Sequence, residues 1–307
     1  MFSGKTADFP KGCGMKLSEK WLPSPLVTAM MAVFFGTLMD ASVRYVNESV
    51  DLFALAFWRF AFATLFVSVP FFLSRRRLPG WAATRFHALR GLIHALATTL
   101  FFFALSRLEL AVVTTLGFTA ALLIVPVAWL MLKERPAGNA VLAAGLGFVG
   151  VTVTFAGSDL SLQFTAEEIQ GLVAVLGAAF FYAISVVMLR KRAADDGAFA
   201  VTVYANFFPS VFLAVPNFAL ADQPDFGDIP ILCMLGFFGM MIWVLMTSAY
   251  SRAPAQKLAP TEYTALLWSA VIGWLVFDEV PTLWVWAGAG ITISACVIVS
   301  RKPRTLV

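Results

Sequence analysis

Long apolar runs alternate with short polar breaks along this chain, and each run has about twenty residues, the length a helix needs to cross roughly 30 Å of hydrocarbon. Ten such spans follow one another, at residues 24–46, 52–73, 86–106, 109–132, 137–157, 168–190, 199–220, 228–250, 255–277 and 282–300. Most breaks are short, about five to ten residues, which predicts antiparallel neighbouring helices and leaves no room for a soluble catalytic domain. The polar residues 1–22, with Pro10, Gly12 and Gly14, are expected to be a tail, and 302–307 a second one.

Charge in the breaks tests this division independently, because Lys and Arg collect on the cytoplasmic side of short loops. With ten spans, one side holds Lys5, Lys11, Lys16, Lys20, Arg75, Arg76, Arg77, Arg85, Lys133, Arg135, Arg190, Lys191, Arg192, Arg252, Lys257, Arg301, Lys302 and Arg304, eighteen in all, against Arg107 alone on the other. A missed or invented span would scramble that division. Both termini are therefore expected in the cytoplasm, and the opposite side carries acids such as Glu48, Asp51, Asp159, Glu167, Glu168 and Asp222.

The sequence also repeats itself. Residues 104–136 laid over 249–281 without a gap give ten identities in thirty-three positions, among them Ala104/Ala249, Arg107/Arg252, Thr119/Thr264, Trp129/Trp274, Glu134/Glu279 and Pro136/Pro281. Apolar composition alone would give roughly three, so duplication is the better explanation. Each half, 23–157 and 158–301, holds five spans. An odd number makes the second half enter the membrane from the opposite side, the inverted arrangement found in secondary transporters.

Composition agrees. The chain is 60% apolar and 13% charged, with a mean hydropathy of +0.83, far outside the soluble range. A pI near 9.1 reflects loop lysines and arginines facing anionic lipid, so the bilayer and not nucleic acid is the expected partner. Cys13, Cys233 and Cys296 lack pair spacing, which predicts neither disulfides nor a metal site. No cofactor motif occurs. Gly12-Cys13-Gly14 has no apolar segment before it, so a lipoprotein signal is not expected, nor is a cleaved signal peptide.

Charges within spans are costly and mark the candidate chemistry. Asp40 and Arg44 lie four apart on the first span and share a face; Arg59 lies on the second at similar depth, so Asp40 is flanked by two arginines. An ion-pair lock between the first two helices and direct substrate contact both fit. The third span carries His87, expected at the headgroups, Arg90, and deeper His94, which suits a proton path or a simple interhelix hydrogen bond. In the ninth span, Glu262 replaces the first half's Gly117, with Tyr263 opposite Phe118 in register and Trp268 a turn further on. Glu262 is suited to an ammonium group or a proton, with Phe118, Tyr263 and Trp268 walling an apolar cavity. Tyr182 and Trp243, midway along spans six and eight, are further cavity candidates. Glu134 and Glu279 fit helix-start capping, and Trp21, Trp81 and Trp284 fit interface anchors.

The stretches Thr37-Leu-Met-Asp-Ala-Ser-Val-Arg44, Phe57-Trp-Arg-Phe60, Leu89-Arg-Gly91, Phe118-Thr-Ala120, Leu132-Lys-Glu-Arg-Pro136 and Phe277-Asp-Glu-Val-Pro281 resemble the drug/metabolite transporter superfamily, specifically its EamA-type ten-helix members. That resemblance implies an all-α inner-membrane carrier of the bacterial type for small polar metabolites, often exported amino acids, with a cavity between two five-helix repeats. It leaves the substrate open, since such proteins move amino acids, vitamins, nucleoside-like compounds or metal-chelating metabolites.

An exporter of amino acids or related zwitterions is the expectation, with carboxylates at Asp40 and Glu262 and the opposite charge at Arg44 and Arg59. Uptake of a larger aromatic metabolite, a flavin or adenosyl compound, is the alternative. An intramembrane enzyme would need an assembled nucleophile and base, and no Gly-x-Ser-x-Gly or His-Glu-x-x-His occurs. A scaffold would have no use for charges at membrane depth. No phosphate loop is present, so a gradient must supply any energy, with proton coupling and facilitated diffusion both open, as is monomer against homodimer.

Overall fold

The computed structural model describes residues 23–46, 50–73, 78–108, 113, 116–133, 136, 138–155, 165–277 and 283–300. The two tails, Trp21, Cys13, Glu134, Glu279 and the side chains of Arg44 and Cys296 lie outside the described residues. Among the described residues every regular element is helical: α1 (Pro25–Val46), α2 (Leu52–Leu73), α3 (Trp81–Leu105), α4 (Thr119–Leu132), α5 (Gly138–Phe155), α6 (Ala166–Asp196), α7 (Ala198–Leu220) and α8 (Ile229–Arg252). A helical turn (Ala255–Leu258) and a 3-10 helix (Ala259–Thr264) then lead into α9 (Ala265–Phe277), and α10 (Leu283–Ser300) follows.

This is an integral membrane protein. Helices α1, α2, α3, α6, α7 and α8 are each long and apolar enough to cross a bilayer, and α4 and the Gly138–Gly150 part of α5 are shorter apolar helices. Large apolar side chains such as Leu73, Leu130, Val215, Phe218 and Leu275 point outward, where lipid and not water can accommodate them.

Packing runs mainly between the two halves. The chief contacts pair α1 with α8, α2 with α7 and α8, α3 with α6 and α7, α4 with α6, and α5 with α10. Exchanging the halves, α1 for α6 and so on, maps all of these pairs but one within the set: α1–α8 becomes α6–α3, α2–α7 and α5–α10 map onto themselves, and only α4–α6 has a smaller counterpart, α9–α1. Two glycines show the same exchange in detail. A Cβ on Gly91 of α3 would strike Phe208 and Pro209 of α7, and one on Gly236 of α8 would strike Phe62 and Ala63 of α2. The glycines are 145 residues apart, the offset of the sequence repeat. Gly236→Ala is therefore expected to cost about 1–3 kcal/mol, since α2 must move away. Gly145→Ala, where a Cβ meets nothing within 4 Å, should be neutral or slightly stabilising. Melting of the purified variants checks the contrast; equal midpoints would show that the α2–α8 contact yields.

Several boundaries depart from the hydropathy pattern. Helix α3 begins at Trp81, five residues before the expected 86, so His87 is not at the headgroups but fully buried in the second turn. Its Nε2 lies 2.9 Å from Asp196 Oδ2, and its ring stacks on Tyr204. Helix α6 runs past 190 to Asp196, so Arg190, Lys191 and Arg192 are helical residues and not a loop. The cause is local: Arg192 donates from Nε and Nη2 to Asp196 at 2.9 and 3.0 Å, and Gly197, at φ 77°, ends the helix. At its other end α6 starts in a capping box, with Glu168 N–H donating to Thr165 Oγ1 and Thr165 N–H to Glu168 Oε2. Arg107, the exception in the loop-charge pattern, pairs with Glu167 there at 2.8 Å.

Candidate functional site

The ninth span, expected as one helix, is broken where Pro260 and three threonine or tyrosine residues interrupt the apolar run, and the fourth is reshaped at the corresponding place. Helix α4 starts at Thr119 with Phe118 as its N-cap, and α9 starts at Ala265 directly after Thr264, the repeat counterpart of Thr119. Both threonines answer the interruption alike. Thr119 Oγ1 donates to Leu116 O at 2.6 Å and Thr264 Oγ1 to Thr261 O at 2.7 Å, each giving a donor to a carbonyl three residues back. Interrupted helices at corresponding positions in two halves are a pointer to a transporter's binding site.

A cavity of roughly 260 Å³ lies against both breaks, lined by α1, α2, α3, α4, α6, α8, the 3-10 segment and the start of α9. Of the candidates, Asp40, Arg59, His94, Phe118, Tyr182, Trp243 and Glu262 line it together. Glu262 is fixed by Tyr182, whose hydroxyl donates to Oε1 at 3.1 Å. His94 is wedged among Phe60, Trp243 and Tyr182, at ring-centroid distances of 5.5, 4.7 and 6.4 Å, and its Nδ1 makes no hydrogen bond.

Asp40 and Arg59 face this cavity without forming the expected lock. They lie close enough to attract one another electrostatically, yet no ion pair within 4.0 Å joins them among the described residues. Arg59, 5% exposed, instead sits over the Phe60 ring at 4.0 Å and donates from Nη1 to Met39 Sδ at 3.1 Å, while its Nε has no partner. A thioether is a weak acceptor, so this guanidinium keeps most of its donor capacity. Asp40 is open to the cavity.

Two candidates lie elsewhere. Tyr263 points away from the cavity: its ring fills the space beside Gly147 of α5, and its hydroxyl donates to Ala144 O at 3.0 Å. The small residues Ala144 and Gly147 leave the room that receives it. Trp268 is not on the cavity wall but packs edge-on against Phe34 at 5.1 Å. Tight 3-10 winding, near 120° per residue, turns adjacent side chains in different directions, which explains how Glu262 and Tyr263 part company. The cavity also includes Thr37, Thr98, Phe101 and Phe102, which the sequence reading passed over. A signal was present: Thr37 lies three residues before Asp40, and Thr98 and Phe101 lie four and seven after His94, on the same helix faces.

Among the described residues no group of three or more His, Cys, Asp or Glu side chains is placed to hold a metal ion. The arrangement can bind charge of both signs within an apolar enclosure. Known proteins bear on what uses it. Residues 23–156 and 169–301 each match the EamA-like transporter family. The chain is 25% identical to an S-adenosylmethionine uptake transporter of Rickettsia bellii, over 88% of this chain and 91% of that one. It is 25% identical to a pseudopaline exporter of Pseudomonas aeruginosa, over 92% and 98%, and 26% identical to a riboflavin transporter of Brucella anthropi, over 81% and 87%. A crystal structure superimposes with a TM-score of 0.78, covering 90% of this chain and 98% of that one at 16% identity, which shows a shared fold.

Proposed function

The chain belongs to the EamA-like transporter family, so it is a membrane transporter and not an enzyme, and we propose that it exports a small zwitterion of the amino-acid class by alternating access. One observation carries this reading: Arg59 stands in the same cavity as Asp40 and Glu262, and among the described residues no ion pair cancels it. A solute bearing both an ammonium and a carboxylate supplies what each group lacks. Unpaired charges away from water are costly, so such a site gains most from a ligand that neutralises both signs together. The cavity, roughly 260 Å³, falls just below the range for small-molecule sites, about 300 to 1,000 Å³, which favours an amino acid over a flavin.

Two inverted five-helix repeats account for the packing that survives exchange of the halves, and the interrupted α4 and α9 would meet at their junction. The division of loop charge supports cytoplasmic termini, and the bacterial relatives support an inner, plasma-membrane location. Glu262 is the carboxyl best placed to couple flux to protons.

Uptake of a larger aromatic solute is the second reading, favoured by the Phe101, Phe102, Phe118 and Trp243 walls and by the substrates named for two of the relatives. Efflux from proteoliposomes loaded with mixed labelled amino acids, with and without a pH gradient, separates the two. Selective loss of one amino-acid class is expected. Retention of all amino acids, together with uptake of a flavin or adenosyl compound, would overturn the export reading.

A further inference from the structure

Arg90 of α3 is 1% exposed, and none of its three guanidinium nitrogens has a hydrogen-bond partner. Among the described residues no carboxylate forms an ion pair with it. His87 and His94 both feel its positive charge, and they lie three residues before and four after it on the same face of α3. The local acid, Asp196, is already held by His87 and Arg192. Arg90 is not on the cavity wall, but its guanidinium lies 5.0 Å from the ring of Trp243, which is. Cation–π contact compensates only part of the cost of a buried charge. A packing role alone would be filled better by an apolar side chain, so an unpaired arginine here points to an anion that arrives at another stage.

We propose that Arg90 is a second, concealed carboxylate site: when Trp243 turns aside the cavity extends to Arg90, and the solute's anionic group is exchanged between Arg90 and Arg59 during the transport cycle. This rests on the zwitterion reading above for the identity of the solute, but the site itself does not depend on it. In the proposed orientation Arg59 lies seven residues from the outer end of α2 and Arg90 nine from the inner end of α3, or about 10 and 14 Å deep at 1.5 Å per residue. Each guanidinium then serves one side of the membrane. His94, one turn beyond Arg90 on α3, packs against Trp243 at 4.7 Å and shares the cavity wall with Arg59.

The test uses purified full-length protein and labelled benzoate, a carboxylate about the size of the indole it would replace. In Arg59→Gln/Trp243→Ala protein, one benzoate is expected to bind, neutral benzamide is not, and adding Arg90→Met should weaken benzoate roughly tenfold or more. Equal binding with and without Arg90, or equal binding of benzamide, would overturn the proposal whatever solute the protein carries. Arg90→Met alone is expected to raise the melting midpoint by about 3 °C, because a buried uncompensated charge is removed, and to abolish transport, with Arg90→Lys restoring part of it. A lowered midpoint would make Arg90 a structural residue and overturn the proposal. If wild-type protein moves no amino acid, the zwitterion reading fails while the benzoate result still decides the site.

Discussion

Glu262→Gln is expected to cut flux at least about tenfold and to remove its response to a pH gradient, with the fold intact. Glutamine keeps an Oε1 that can accept from the Tyr182 hydroxyl, so the bond that positions the side chain survives. Charge and the exchangeable proton are both lost. A hydrogen bond to a charged group contributes about 1.5–3 kcal/mol, which corresponds to roughly ten- to a hundredfold in affinity for a substrate ammonium. Proteoliposome flux at matched and opposed pH, with melting as the control for folding, reads both effects. Unchanged flux and an unchanged pH response would remove Glu262 from the mechanism; a pH response that survives here but disappears in Asp40→Asn would transfer proton coupling to α1.

The second large effect is expected at Arg59. Arg59→Gln should lower apparent substrate affinity by about a hundredfold, because the guanidinium has only a thioether and an aromatic face to satisfy it until a carboxylate arrives. Asp40→Asn should also weaken transport, and the double variant distinguishes two designs. If Asp40 and Arg59 form a lock, removing both should hurt less than removing the arginine alone. Their lack of direct contact predicts instead that the losses nearly add, each group holding its own end of the solute. A double variant that recovers function would restore the lock and weaken the case for a zwitterion.

Much of the fold was legible in the sequence because hydrocarbon imposes a length on each apolar run, and α2, predicted at 52–73, spans those residues. The errors share a cause. Hydropathy measures whether a segment tolerates lipid and is blind to how it is wound, so it could not distinguish the 3-10 stretch Ala259–Thr264 from α-helix. It likewise stopped span six at Arg190, although the helix continues through Arg192–Asp196 pairing into water-accessible sequence. Charged and aromatic residues at membrane depth led to the cavity and to seven residues of its wall, because burying them without purpose is expensive. Tyr263 and Trp268 misled because an aromatic near a polar group packs against a small-residue trough as readily as it lines a cavity. Arg59 and Asp40 were judged from depth alone, which cannot give the direction of a side chain. Helix pairing between the halves left only a faint trace, the recurrence of Gly91 at Gly236.

That pairing governs how the protein comes into being. Helix α5 has its main partner in α10, and α1, α2 and α3 have theirs in α8, α7 and α6. The first five spans therefore enter the bilayer with their packing faces turned to lipid, complete as helices but without their tertiary partners. Synthesis order and assembly order are decoupled: the nascent first half behaves as a subunit awaiting its mate. A chain halted before its last span would be an orphan with α5 uncovered, a substrate for quality control and not a smaller transporter.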